Sequence, residues 1–401
     1  MSRLITRLAA VSLIALTVYT AQAQRGLPRR PSVNFDGQQI FRYDTFGDEQ
    51  LWTQELRMQQ ALRNVSPATA LSVGLKVDSD ALPPAVLNAI LMGQVNLNDP
   101  EVTAQLLKLN AVVGVIGKVE GTNNQLVTIG VTCALCHSTV DNSIIQGVGK
   151  RLDGWPNLDL NVGAIIALSP VVDDKSPYLS WGRGKYDPRF TAFDGRRLIS
   201  LNSPTLPVVI PPVYGLQNVG FEIFTGDGPI SYWNNYVGVT QMGGHGDFRD
   251  DRIGLQIVQR PDMVTPKLPA LLAYQLSLQT PAPDSFDVAA ADRGEGLFMG
   301  KALCSTCHIP PTYTDVMNGP SPVVPLLHAP SETGMEEEYA GRSATHLYRT
   351  TPLRALARHP PYFHDGSARS LADVVNHYIA ALPLTLSDTE KADLIEFLKS
   401  L

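Results

Sequence analysis

Cys133-Ala-Leu-Cys136-His137 and Cys304-Ser-Thr-Cys307-His308 together use all four cysteines of this 401-residue chain. The repeated pattern, C-x-x-C-H, is the attachment signature of c-type haem. Two thiols three residues apart reach both vinyl groups of one porphyrin, and the adjoining imidazole comes up beneath the iron as proximal ligand. Cys133, Cys136, Cys304 and Cys307 are therefore read as attachment points for two covalently bound haem c groups, with His137 and His308 as the iron ligands. A pair of C-x-x-C units also suits a four-thiolate zinc site, and a single unit suits a redox dithiol or a disulfide. Zinc does not require a histidine after each second cysteine, and a redox C-x-x-C opens a helix in a βαβ unit, a pattern not seen here.

The N-terminus points the same way. Arg3 and Arg7 precede an apolar run from Leu8 to Val18, and Ala21-Gln22-Ala23 offers an A-x-A cleavage site, the features of a secretory signal peptide over residues 1–23. The run is too short for a permanent membrane span, so the expected mature chain is exported to the periplasm and has no membrane anchor. Covalent haem attachment takes place outside the bacterial cytoplasm, in keeping with export.

The formal charge is -6, and removing Arg3 and Arg7 makes the mature chain more acidic still. No basic tract suggests nucleic acid, and no later segment is apolar enough to cross a membrane. Thirty prolines and thirty-two glycines imply long ordered loops. The length allows two or three domains, each with a real core. The expected fold is mainly α, with two cytochrome c-like haem domains, long loops and an N-terminal helical extension. The extension covers residues 24–130, the first haem domain 131–275 and the second 280–401.

Within the second domain, Gly294, Leu297 and Phe298 lie on a helix-like stretch before Cys304. Ser387-Asp388-Thr389-Glu390 is a capping box opening a final helix with Leu394, Leu398 and Leu401 at helical spacing. Cys133 instead follows a β-like run from Leu126, and amphipathic helices are expected over Glu49–Arg63 and Asp99–Val112. A weak repeat relates Asn202-Ser203-Pro204-Thr205-Leu206 and Gly226-Asp227-Gly228 to Thr350-Thr351-Pro352-Leu353 and His364-Asp365-Gly366, as expected of a duplicated one-haem unit.

The segment from Thr351 through His359-Pro-Pro-Tyr-Phe-His-Asp-Gly-Ser367 to Tyr378 and Leu386-Ser-Asp resembles the C-terminal domain of the bacterial dihaem cytochrome c peroxidase and MauG superfamily. Asn202 to Leu206 resembles a motif following the first haem in that family. The resemblance covers residues 280–401 well, 131–260 partly and nothing earlier. It implies an oxidoreductase in which one haem relays electrons and the other, with an open distal face, reacts with peroxide or a related oxidant. A small periplasmic donor or acceptor protein is the implied partner.

Residue by residue, the resemblance puts Tyr378 where the family carries the distal ligand of the second haem, with His377, His364 and Met335 as rivals. A tyrosinate ligand stabilises ferric iron, whereas methionine raises the potential. Gln241 stands where the peroxidases carry a glutamate that assists O–O cleavage. Glutamine hydrogen-bonds an oxidant but does not take or return a proton as a carboxylate does. Met242 or His245 binding the first iron would close that site and favour a non-catalytic electron carrier, the competing function. Trp181 and Trp233 are candidate electron-hopping stations, or simply core. Asn202 and Thr350 match positions near a bridging calcium ion in the family, and Arg342, Arg349 and Arg354 are candidate partners of haem propionates.

Overall fold

Every backbone donor in the chain needs a partner, and loops as proline-rich as these find theirs in short two-stranded pairs rather than in a large sheet. The computed structural model describes residues 35–122, 124–187, 205–316 and 326–401, and the backbone of two short strands, Ala192–Phe193 and Leu198–Ile199. The signal-peptide segment and Asn202 lie outside the described residues. The fold is mainly helical, with seven two-stranded pairs among the described residues. Residues Asp36–Leu401 pack as one unit.

The N-terminal region begins with helix α1 (Gly37–Tyr43), capped by the Asp36 carboxylate, which accepts from Gln38 and Gln39 N–H. The helix expected over Glu49–Arg63 is broken in two: a π-helical stretch, Gln50–Glu55, and a short α-helix, Met58–Leu62. Arg57 between them has φ 51°, which an α-helix does not accommodate. The helix expected from Asp99 runs as α2 (Pro100–Lys108) and stops before Asn110, also at positive φ. The region is not wholly helical. Strands β1 (Val115–Glu120) and β2 (Gln125–Val131) form an antiparallel hairpin that buries Leu126, Ile129 and Val131 and delivers the chain to Cys133.

The C-terminal region follows the sequence closely. Helix α4 (Val288–Met299) crosses the last helix, α6 (Asp388–Ser400), and α5 (Leu371–Ala381) packs beside them; α3 is the earlier helix Ile230–Tyr236. Ser387 caps α6 with the capping box read from the sequence, and Ser370 caps α5 in the same way. Phe298, Leu371, Val375, Leu394, Phe397 and Leu398 form the core between them. The crossing is close because of Gly294, where a Cβ would lie 2.1 Å from the Asp393 carbonyl oxygen.

The two halves repeat one another in a register that corrects the sequence reading. Strands β3 (Lys185–Tyr186) and β4 (Val208–Val209) pair antiparallel, as do β5 (Leu327–His328) and β6 (Tyr348–Arg349). Tyr186 faces Val208 in the first pair and His328 faces Tyr348 in the second. Val209 N–H donates to the His364 carbonyl (2.7 Å), and Arg349 N–H donates to the Phe224 carbonyl (2.9 Å). Bridges Glu222–Gly228 and Tyr362–Ala368 also correspond, and Ile223 and Phe363 share φ 65°. Pro212, not Pro204, is thus the counterpart of Pro352, and Gly226, not Gly228, that of Gly366. The halves interlock through equivalent residues: the Phe224 and His364 rings stack with centroids 4.9 Å apart.

Candidate functional site: two cysteine-histidine centres

At the first centre, β2 ends where Thr132 N–H donates to the Gly114 carbonyl (3.0 Å), and one helical turn, Ala134–His137, carries the motif. Gly114, at φ 74°, lets the hairpin touch this turn: a Cβ there would lie 2.0 Å from Leu135 N. Asn157 and Gly154 N–H groups donate to the Cys136 and His137 carbonyls, both at 2.8 Å. The His137 Nδ1 meets the Pro211 carbonyl oxygen at 3.1 Å. That bond fixes Nδ1 as the protonated nitrogen and leaves Nε2 as a ligand. Burial lowers the His137 pKa to about 4, so the imidazole is neutral.

At the second centre α4 leads through Leu303, at φ 57°, into the Cys304–Thr306 turn. His308 Nδ1 lies 2.9 Å from the Tyr313 carbonyl oxygen, and Thr351, the counterpart of Pro211, supplies a second backbone acceptor. Burial lowers the His308 pKa as well. Beside the motif lies a cavity of about 480 Å³ whose walls include Cys304, Cys307, His308, Met335, His364 and Tyr378. Tyr378 projects from the face of α5 that also carries Val374, Val375 and Ile379 to this cavity, and burial pushes its phenol up to about 12. Among its rivals, His377 binds the Thr333 carbonyl through Nε2 (2.9 Å) and packs on Phe363. His364 is buried among Phe224, Tyr339 and Tyr348, with its Nε2 3.5 Å from Glu336.

The remaining sequence candidates distribute unevenly. Gln241, in the π-helical turn Val237–Gln241 after α3, hydrogen-bonds Thr240 (3.3 Å) and Tyr236. The Met242 carbonyl accepts from Trp52 Nε1 (2.9 Å), and His245 Nδ1 meets the Pro261 carbonyl (2.7 Å). Trp181 packs on Tyr178, while Trp233 Nε1 donates to Glu222. The buried Arg349 pairs with Glu222 at 2.9 Å, Arg354 donates to the Gly215 carbonyl (2.6 Å), and Arg342 faces Asp187 at 3.4 Å. The Thr350 hydroxyl donates to Asp315 (3.0 Å).

Two residues had no motif to announce them. Tyr186, half-buried and within electrostatic reach of Cys136, has its phenol pKa raised by burial and then by that cysteine. Its counterpart His328 sits near Cys307, between Asp315 and Glu332, each 3.0 Å away. Only the strand repeat could have found them, and its register was not legible.

Both centres fit a c-type haem. All four thiols are free, and burial raises their pKa values, Cys133 and Cys136 to about 12 and Cys304 to about 11. A four-thiolate zinc site does not fit. The single convergent group of possible metal ligands among the described residues holds one cysteine, with Asp315 and His328. Each imidazole keeps Nε2 for iron, and the second has an apolar cavity beside it.

Comparisons with known proteins show a partial similarity. MauG of Methylorubrum extorquens is 34% identical over 127 residues, covering 28% of this chain and 35% of that protein. A cytochrome-c peroxidase of Pseudomonas sp. strain SCT is 31% identical over 143 residues, covering 28% of this chain and 39% of that protein. Over this stretch the chain is similar to the MauG-like cytochrome c peroxidase superfamily. MauG of Methylophilus methylotrophus is 31% identical over 134 residues, 28% of this chain and 36% of that one. The similarity thus spans little more than a third of these MauG-like and peroxidase relatives. No family model matches the chain. A MauG-like protein associated with microbial copper homeostasis, 18% identical, overlaps 57% of this chain and 89% of its own with a TM-score of 0.35.

Proposed function

We propose that the protein is a periplasmic dihaem c-type cytochrome acting as an oxidoreductase, reacting with peroxide or a related oxidant at one haem and relaying electrons through the other. Cys133 and Cys136 would hold the first haem over His137, and Cys304 and Cys307 the second over His308. Bound haem supplies a one-electron couple and, where its iron keeps an exchangeable position, a place for an oxidant.

The observation that carries this reading is the reciprocal interlock of the halves. Pro211, whose carbonyl holds His137, also lines the cavity beside Cys304 and His308. One residue therefore touches both centres, which supports electron relay over a short path. Gln241 would orient a bound oxidant without exchanging protons with it. Arg349 and Arg354 are two buried guanidinium groups close to one carboxylate, Glu222, and burial lowers the Arg354 pKa. A haem propionate would balance that charge. Calcium between the halves rests on the resemblance at Asn202 and Thr350 alone. A small periplasmic redox protein is the proposed partner; among the described residues no helix is long and apolar enough to cross a membrane.

The second reading, a carrier with both irons six-coordinate, is favoured by Tyr378, Met335 and His364, which all line one cavity. Low-temperature EPR with spin quantitation separates the two. The enzyme reading expects a stoichiometric high-spin ferric signal in the oxidised or half-reduced protein, lost on adding cyanide. Two low-spin haems in both states, indifferent to cyanide, would leave the carrier.

A further inference from the structure

A hydrogen-bonded chain runs from solvent to the edge of the second centre and, among the described residues, has no counterpart at the first. Glu332, with about half its side chain exposed (55%), meets His328 Nδ1 at 3.0 Å. His328 Nε2 meets Asp315 Oδ2 at 3.0 Å, and the same oxygen accepts from the Thr350 hydroxyl at 3.0 Å. Exposure falls along it, to 11% at His328 and 3% at Asp315. His328, Glu332 and Thr350 all line the cavity of the second centre, and Cys307 Sγ lies within 4.8 Å of ligand atoms of Asp315 and His328. In the first half the corresponding strand position holds Tyr186, whose hydroxyl has no hydrogen-bond partner among the described residues.

We propose that Glu332, His328 and Asp315 form a redox-linked proton site, so that reduction of the second haem is accompanied by uptake of one proton and reduction of the first is not. The proposal rests on the reading of a haem held by Cys304 and Cys307. Its balance is simple. One electron from the donor protein enters the haem, removing one positive charge beside Asp315, and one proton from solvent passes by Glu332 to the imidazole of His328. Oxidation returns both.

Burial works against charge on His328, but Asp315 and Glu332 outweigh it and raise its pKa. Adding an electron nearby raises it further, by the attraction of the extra negative charge. The other titratable groups facing this site are Cys307, which a thioether would render silent, and His308, which lies within electrostatic reach. Tyr186 ionises too far above neutrality to play the same part at the first centre.

Spectroelectrochemical titration of the two-haem protein between pH 5 and pH 8, below the range in which the Asp48 carboxyl near Cys133 ionises, tests this, with an electrode and soluble mediators as the electron source. One haem should show a potential that falls by about 59 mV for each tenfold drop in proton concentration over part of that range. The other should be flat. His328→Gln keeps a polar side chain but does not titrate, and should flatten the sloping haem while both haems stay bound. Glu332→Gln, at the exposed end, should move the onset of the slope to lower pH, and it serves if the His328 variant loses its haem. Two flat profiles in a protein with both haems would overturn the proposal alone. A slope that survives His328→Gln, or an onset unmoved in the Glu332 variant, would also overturn it. Absence of haem at Cys304 and Cys307 would overturn the parent reading with it.

Discussion

The same five-residue motif is held by two unlike scaffolds. At Cys133 the chain arrives from a β-hairpin and turns once, with the motif carbonyls taken up by Asn157 and Gly154 N–H groups. At Cys304 it arrives from a twelve-residue helix that crosses the last helix of the chain, and Phe298 of that helix packs against both Tyr313 and Phe397. What the centres share lies elsewhere: an imidazole with Nδ1 bound to a backbone carbonyl, and a two-stranded pair that reaches across to the other half. The requirement is on the position of Nε2 and on partners for the buried backbone, and a hairpin meets it as well as a helix does.

The hardest way to break the comparison is to remove the thiols. Cys133→Ala with Cys136→Ala, and Cys304→Ala with Cys307→Ala, should each lower covalent haem from two to one per chain, measured by pyridine haemochrome absorbance. Loss of both haems from either double variant would mean that the centres do not load independently. A smaller effect comes from the glycines beneath each scaffold. Gly114→Ala meets a Cβ contact of 2.0 Å and a φ of 74° together, whereas Gly294→Ala meets close contacts with Asp393 and Phe397 but no left-handed φ. Overpacking costs about 1–3 kcal/mol, and a left-handed residue with a side chain about 1 kcal/mol more. Urea unfolding should therefore rank Gly114→Ala as the more destabilised. Gly114→Ala should weaken haem retention at the first centre and Gly294→Ala at the second; equal loss at both centres in either variant would deny that each glycine serves its own scaffold.

Much of the second half was legible because its signals are local. The capping box at Ser387 and the apolar spacing of Leu394 and Leu398 each fall within four residues, and the structure has them as read. The hairpin before Cys133 was half legible: β2 has the alternation of a strand, but β1 reads Val-Ile-Gly-Lys-Val-Glu and gave no sign of pairing. The repeat was seen in the wrong register because Pro204 and Pro212 both lie near the right distance along the sequence, and only cross-half hydrogen bonds such as Val209 to His364 set the pairing. Tyr186 and the links from His328 to Asp315 and from Asp315 to Thr350 were invisible for the same reason. Their partners come from segments joined in space, with no fixed spacing along the chain.

The smallest effect should be found in the acids beside the two centres. At the second, Asp315 has a histidine and a hydroxyl as partners. At the first, Asp48 is fully buried, accepts from Val131 N–H at 3.0 Å and is within electrostatic reach of Cys133. Burial, aided by Glu49 and Asp44, pushes its carboxyl up to about 9. A folded-state pKa above the unfolded value of about 3.9 means that the folded protein holds this proton more tightly. The associated stability is fully present below about pH 4 and is lost as pH rises toward 9. Asp48→Asn is nearly the same shape and does not ionise, so its urea midpoint should decline less over that interval. The variant should gain on the parent protein at pH 8 and lose the advantage near pH 5. Parallel midpoint curves would mean that Asp48 ionises normally in the folded protein, with the first centre's acid as well partnered as the second's.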